Sequence, residues 1–359
     1  MAFVRTNGIG HKPIETKKMI QFQCDYNEGC APEILQRLAE TNLMQTVGYG
    51  MDPICEHARQ LIRDACQAPQ ALVQFLVGGT QANATVIASI LRPYQGVLCA
   101  ETGHINVHET GAVEHTGHKV LALPQHDGRI TTEQVRKALA DHLSDGNAEH
   151  IVQPGMVYIS MPTEVGTIYS LAELTAISSV CREYQVPLFV DGARLGYGLA
   201  SPACDMTLAD LARLADVFYI GGTKQGALFG EAVVITNPAL QKDFRYNIKQ
   251  NGGMLAKGRL LGIQFETLFT DGLYMRLSRH AIDMAMRIKE ALLAHGYRMY
   301  IDSPTNQQFP ILDRATYQRL SQTFLFDFWG DIDADHVVAR ICTSWATREE
   351  NVEQLLLAL

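Results

Sequence analysis

The stretch ADVFYIGGTKQGALFGEAVVI, residues 215–235, places one lysine between two apolar runs. Val217 to Ile220 and Ala232 to Ile235 read as strands, and the glycine-rich turn between them carries Lys224 at its centre. A lysine set between buried strands must be solvated through an opening or put to chemical use, because burying an unpaired ammonium is costly and lowers its pKa. An amine with a lowered pKa is what a Schiff-base nucleophile requires. On this stretch alone a lysine at an exposed loop tip is the plainer reading, so the decision rests on partners elsewhere in the chain.

Working outward, VPLFVD is a strand whose apolar run is closed by Asp191, and MVYISM (156–161) is a strand ending at Pro162-Thr163. The run ALVQFLVGGTQANATVIASILRP (71–93) is a strand that stops at Gly78-Gly79-Thr80 and passes straight into a helix. Such a turn aims backbone N–H groups, the positive end of the helix dipole and a hydroxyl at one point, which suits a phosphate. An ordinary tight turn capped by Thr80 is the plain alternative. The turn matches neither G-x-G-x-x-G nor the Walker pattern, which removes support for dinucleotide and P-loop readings. Strands and helices alternate from residue 53 to 235, predicting an α/β fold with a mostly parallel central sheet and helices on both faces. Ligands of such sheets collect at the carboxyl ends of the strands. Gly79-Thr80, Thr163, Asp191 and Lys224 all follow directly after predicted strands, so one crevice is expected to gather them.

The rest of the chain frames this sheet. Residues 19–24 alternate as a strand, a helix runs from about Pro32 to Asn42, and Asp52-Pro53 opens another that ends near Cys66. Thr131-x-x-Gln134 and Ser170-x-x-Glu173 are capping boxes that open helices, and His104 to Gly111 reads as helical. After Pro238 come a helix to about 249, a break at Gly252-Gly253, and a long helical stretch from about 254 to 294 stopped by Gly296. Short strands and a last helix opened by Thr347-x-x-Glu350 complete a smaller α+β unit. The expected division is an N-terminal arm and helix (1–50), a large domain (51–252), and a linking helix with a small domain (253–359).

Composition narrows the class. With 359 residues and 47% hydrophobic content the chain can bury a large core. A net charge of -8 and no Lys/Arg block argue against nucleic acid or an anionic membrane as the main partner. No run reaches the ~18 apolar residues of a spanning helix and no signal-peptide core is seen, so a cytoplasmic protein is expected. Eight cysteines without a C-x-x-C pair read as reduced thiols. His104, His108, His115 and His118 lack the H-E-x-x-H arrangement, and no metal is expected.

A pyridoxal phosphate site would use all these groups. Its aldehyde needs an amine (Lys224), its phosphate a cup (Gly79, Thr80, Thr223), its ring nitrogen a carboxylate (Asp191), and its ring face a flat partner (His104). An amino-acid carboxylate suits an arginine fork, from Arg194 or Arg340. Singly, each reads as plainly structural: Asp191 as a helix cap, His104 as a core histidine, Arg340 as a surface ion pair.

In their order along the chain, QCDYNEG, TVGYGMD, FLVGGTQANATV, AETGHINVHETGAV, LFVDGARLGYGLA, YIGGTKQGALFGEAVV and RICTSWATREENV resemble the threonine aldolase branch of the β-eliminating lyases. Those are fold-type I pyridoxal phosphate enzymes, homodimers or dimers of dimers with the active site shared between subunits. The resemblance implies Lys224 as the Schiff-base lysine, with Gly79, Thr80, Gln81, His104, Thr163, Asp191, Arg194, Thr223 and Lys257 binding the cofactor. It implies Cys24, Tyr49, Arg194 and Arg340 around the substrate, and His104, His108 or Glu109 as the base. Three positions depart from the family pattern: Glu164 stands where a second histidine is frequent, Gly253-Met254-Leu255 lacks an arginine for which Lys257 is a substitute, and Cys24 replaces a serine. The expected reaction is retro-aldol cleavage of threonine or allo-threonine to glycine and acetaldehyde. The alternatives are β-elimination or transamination of another amino acid, because one fold hosts many reactions, or a silent amino-acid sensor or nucleotide-binding module.

Overall fold

The computed structural model describes residues 19–359. Thirteen strands occur among them. In chain order the first eight are β1 (Ile20–Gln21), β2 (Leu72–Leu76), β3 (Gln95–Ala100), β4 (Lys119–Leu123), β5 (Gln153–Ser160), β6 (Leu188–Asp191), β7 (Val217–Gly221) and β8 (Glu231–Ile235). All but β1 form one seven-stranded sheet, ordered β2-β8-β7-β6-β5-β3-β4. Its strands are parallel except β8, which runs antiparallel to both β7 and β2. The reversal follows from the nine residues 222–230: too short for a helical crossover, they fold β8 back beside β7.

Each central strand is apolar on both faces, as a sheet covered on both sides demands. Successive residues alternate between two cores: Phe218 and Ile220 point into one with Val190 and Ile159, Val217 and Tyr219 into the other with Phe189 and Tyr158. Helices Pro53–Ala65, Leu171–Glu183 and Arg259–Phe269 cover the first face, and helix Gly79–Ile90 lies on the second. The capping boxes at Thr131/Gln134 and Ser170/Glu173 form as expected, and Asp52 Oδ1 accepts the Cys55 N–H at 2.9 Å.

The C-terminal part carries β9 (Arg298–Ile301), β10 (Gln307–Asp313), β11 (Phe324–Leu325), β12 (Asp327–Asp331) and β13 (His336–Cys342). Four of them make an antiparallel sheet, β12-β13-β10-β9, while β11 pairs with β1 in parallel. The expected strand over 19–24 therefore shortens to two residues. Beyond it Cys24 and Asp25 leave the ladder, and the Asp25 carboxylate turns to Arg194.

Three further expectations are corrected. The stretch expected as one helix over 254–294 is two, Arg259–Phe269 and Leu273–Ala294, broken where Asp271 and Gly272 both take positive φ, 50° and 67°. The helix expected over 238–249 is a short 3-10 turn and then Phe244–Gln250, separated at Asp243 with φ 61°. The last helix, Glu349–Ala358, is not capped by Thr347; that hydroxyl accepts the Ser344 N–H instead. Among the described residues no helix is long and apolar enough to cross a membrane.

Candidate active site

At the carboxyl edge of the large sheet, Val77, Gly78, Gly79 and Thr80 after β2, Asp191 at the end of β6, and Thr223 and Lys224 after β7 line one cavity of about 320 Å³. Ser160 ends β5 and adds to the same wall, as do His104, Glu164, Arg194, Phe229, Glu231 and Tyr26. Of the groups that the strand-end rule was expected to gather, Gly79-Thr80, Asp191 and Lys224 thus meet in one place, while Thr163 does not line it. At Gly78 an added Cβ would meet nothing within 4 Å, so the cup before helix Gly79–Ile90 is left open.

Asp191 is 4% exposed, and its carboxylate is held by four donors. Oδ1 accepts from the Tyr219 hydroxyl at 2.5 Å and the Ala193 N–H at 3.0 Å; Oδ2 accepts from Tyr158 at 2.6 Å and Asn83 at 3.0 Å. Burial works against the charge, yet His104 and the hydrogen bonds of Tyr158, Tyr219 and Asn83 outweigh it and lower the pKa. Asp191 is therefore an anion at neutral pH. These donors fill its four lone-pair sites and fix the carboxylate in place.

Asn83 Nδ2 also donates to Glu109 Oε1 at 2.7 Å, and that oxygen lies 2.7 Å from His104 Nδ1. Burial opposes the imidazolium, but Glu109 and then Asp191 favour it and raise the His104 pKa. On Lys224 the balance runs the other way. Burial and the Arg194 guanidinium lower its pKa, and Asp25, Asp191 and Glu231 offset this only in part. The Tyr26 ring lies 6.0 Å from the Lys224 amine, and the lysine's own carbonyl accepts the Tyr197 hydroxyl.

The sequence pattern of the β-eliminating lyases matches residues 21–313. The low-specificity L-threonine aldolase of a Pseudomonas species is 31% identical over 356 residues, 95% of this chain and 97% of that protein. The chain is a member of the β-eliminating lyase family, on its threonine aldolase branch. The low-specificity L-threonine aldolase of Pseudomonas aeruginosa is 30% identical over 93% of this chain and 95% of its own. A Leishmania major threonine aldolase structure superposes with a TM-score of 0.92 at 44% identity, covering 94% of this chain and 98% of that one. A Thermus thermophilus aspartate aminotransferase shares the fold alone, at 14% identity and a TM-score of 0.69 over 95% of this chain and 90% of that one. The threonine aldolase branch thus accounts for the fold-type I architecture and for a lyase built on it.

Not every residue singled out from the sequence reaches this threonine aldolase-like cavity. Gln81 stands behind the cup: its Oε1 accepts the Val77 N–H at 3.1 Å and its Nε2 donates to the Asn251 carbonyl at 2.9 Å. Thr163 is buried against Thr167 at 2.7 Å, and its neighbours Pro162 and Glu164 take the wall. Glu109 is fully covered, behind His104. His108 is exposed with its ring centroid 5.5 Å from that of His104, and burial, His104 and Arg340 together lower its pKa. Lys257 is exposed, and Tyr49 is half-exposed with φ 61° and its ring 5.3 Å from the Lys249 amine. The Cys24 thiol donates to Asn27 at 3.0 Å. Arg194 lines the cavity, but its fork is committed to Asp25 at 2.7 and 3.0 Å, so it is not a free clamp for a carboxylate. Arg340 is paired with Asp327 at 2.6 Å, while its buried Nε has no partner.

The cavity also contains residues to which the sequence reading gave no role. Glu164 accepts the His104 N–H at 2.9 Å and the Ser160 hydroxyl at 2.6 Å, and burial raises its pKa. Glu231 opens an apolar strand and Tyr219 sits inside another, while Tyr158 and Asn83 stand behind the wall on Asp191; a polar group in each otherwise apolar strand was the available signal.

Proposed function

We propose that the chain cleaves threonine or allo-threonine to glycine and acetaldehyde, using pyridoxal 5′-phosphate held in this cavity. The observation that carries the reading is that the Lys224 amine and the Asp191 carboxylate line one cavity with the glycine turn Gly78-Gly79-Thr80. The donor set fits the cofactor: an amine of lowered pKa, an anionic carboxylate, an open cup at a helix start and a half-exposed imidazole. Bound there, the cofactor supplies an aldehyde for an amine and a ring that accepts electrons.

Thr80, Thr223 and the turn N–H groups would hold the phosphate. Asp191 would keep the proton on the ring nitrogen, and Asn83, Tyr158 and Tyr219 keep Asp191 in place. His104, in the cavity wall, would cover the ring face. With Nδ1 engaged by Glu109, its Nε2 is the atom left to take the proton of the substrate β-hydroxyl. Arg340, on β13 of the small domain, would serve the substrate carboxylate by exchanging its Asp327 partner. In this reading the chain works in the cytoplasm as a homodimer or homotetramer. Leu43, Met44, Val47, Tyr49 and Met51 form an exposed apolar segment fit for a second copy.

The test is product analysis. Incubation with L-threonine, L-allo-threonine, L-serine and L-tyrosine should yield glycine and an aldehyde from the β-hydroxy amino acids. Pyruvate with ammonia as the main products would assign β-elimination and overturn the proposal.

A further inference from the structure

Glu231 is the first residue of β8, where its backbone pairs with Leu76 of β2 on one side and Gly221 of β7 on the other. It therefore sits at the seam between the strand that feeds the glycine turn and the strand that feeds Thr223-Lys224. Its side chain is 4% exposed and lines the same cavity. Oε1 accepts the Thr223 hydroxyl at 2.9 Å and Oε2 accepts the Gly222 N–H at 3.1 Å. No Lys or Arg nitrogen of the described residues lies within ion-pair distance of it.

These contacts pose a conflict that rests on the proposed cofactor reading. Thr223 is a donor that a phosphate in the cup would use, and the carboxylate already holds it. A phosphate dianion entering beside a buried carboxylate brings two like charges onto one hydroxyl, which a water-poor cavity does not tolerate. Protonation resolves it, because a neutral carboxyl loses the repulsion and gains an O–H donor. We propose that Glu231 is the positioning residue of the anion cup, taking up one proton when a phosphate dianion binds and releasing it when the anion leaves. The carboxylate plus one proton gives the carboxylic acid. The proton comes from solvent, so its uptake is read as net protonation of the protein.

The groups facing Glu231 support this. Burial raises its pKa; Lys224, from the β7–β8 turn, lowers it, and Asp191, at the end of β6, adds to the rise. Tyr219 on β7 and Tyr274 on helix Leu273–Ala294 also face it, and burial keeps both phenols neutral. On the other flank β2 brings the apolar Leu76.

The full-length apoprotein is titrated calorimetrically at about pH 9, above the value of about 8 to which burial raises the Glu231 carboxyl, in two buffers of different ionisation enthalpy, with sulfate and with pyridoxal 5′-phosphate. Sulfate stays a dianion in this range, so any proton taken up belongs to the protein. The expected result is about one proton per sulfate bound by the wild type and none by Glu231→Gln, with sulfate affinity in the variant becoming independent of pH. Sulfate binding to the wild type without proton uptake overturns the assignment, whether or not the variant folds, as does undiminished uptake by a folded E231Q. Failure of pyridoxal 5′-phosphate to bind with a visible band that depends on Lys224 would instead overturn the cofactor reading.

Discussion

Glu109 Oε1 lies 2.7 Å from His104 Nδ1 and accepts the Asn83 amide at the same distance. The buried acid thus fixes the imidazole tautomer and favours its charged form, while Nε2 stays toward the cavity. A base must be neutral, so activity should rise with pH as the His104 imidazolium, held above its ordinary pKa, loses its proton. Glu109→Gln removes the negative charge, and the acid limb of the kcat/KM profile should move to lower pH while maximal kcat falls. A limb that stays in place would detach His104 from the base role.

Lys224 and Asp191 serve the cofactor in different ways and should fail differently. Lys224→Ala should abolish the visible absorption of the bound cofactor and lower turnover with L-threonine by ~10³-fold or more. Asp191→Asn keeps the shape but loses the anion that holds the ring proton, so the band should survive while kcat falls by at least about 10²-fold. Absorption spectra paired with single-turnover glycine release separate the two. A Lys224→Ala protein retaining band and turnover removes the lysine from the chemistry.

The sheet edge was legible because every strand feeding it is a short apolar run stopped by a glycine, a proline or a carboxylate, so Thr80, Asp191 and Lys224 all declare their position locally. What stayed hidden depends on pairing over distance. Arg194 reads as a free fork until Asp25, 169 positions away, takes both of its bonds. Glu231 reads as the polar start of a strand until β8 folds back between β2 and β7. The break at Asp271-Gly272 was written in the chain as a turn signal, but apolar residues spaced at helical period on both sides hid it. Helix Arg314–Leu320 went unread because it is seven residues long, although Asp313 caps it by accepting the Thr316 N–H at 2.8 Å.

Leu43 is 91% exposed and Val47 67%, beside Met44, Tyr49 and Met51. Leaving such a segment in water is unfavourable by roughly 1.5–3 kcal/mol for each large side chain that could be buried. Leu43→Asp with Val47→Asp should shift the chain toward monomer in analytical ultracentrifugation and lower cofactor retention along with it. An unchanged sedimentation coefficient would place the subunit boundary elsewhere.

The pair Asp25–Arg194 ties the N-terminal segment to the large sheet, and Asn306 adds a third bond to Asp25 from the small domain at 2.9 Å. Burial opposes the Asp25 carboxylate, but Arg194, Lys224 and the hydrogen bonds bring its pKa down to about 2 from the ordinary 3.8. A folded-state pKa below the unfolded one gives stability that is complete above the unfolded value and is lost as pH falls through the folded value. Asp25 therefore contributes on the order of 2 kcal/mol at neutral pH, lost between about pH 4 and pH 2. Asp25→Asn should be less stable than wild type at pH 7, because the buried guanidinium loses its counter-charge. Its stability should also fall less steeply with acid, so urea-unfolding curves of the two proteins should converge as pH drops toward 3. Parallel pH dependences from 7 to 3 would show that Asp25 is not the titrating link between the two domains.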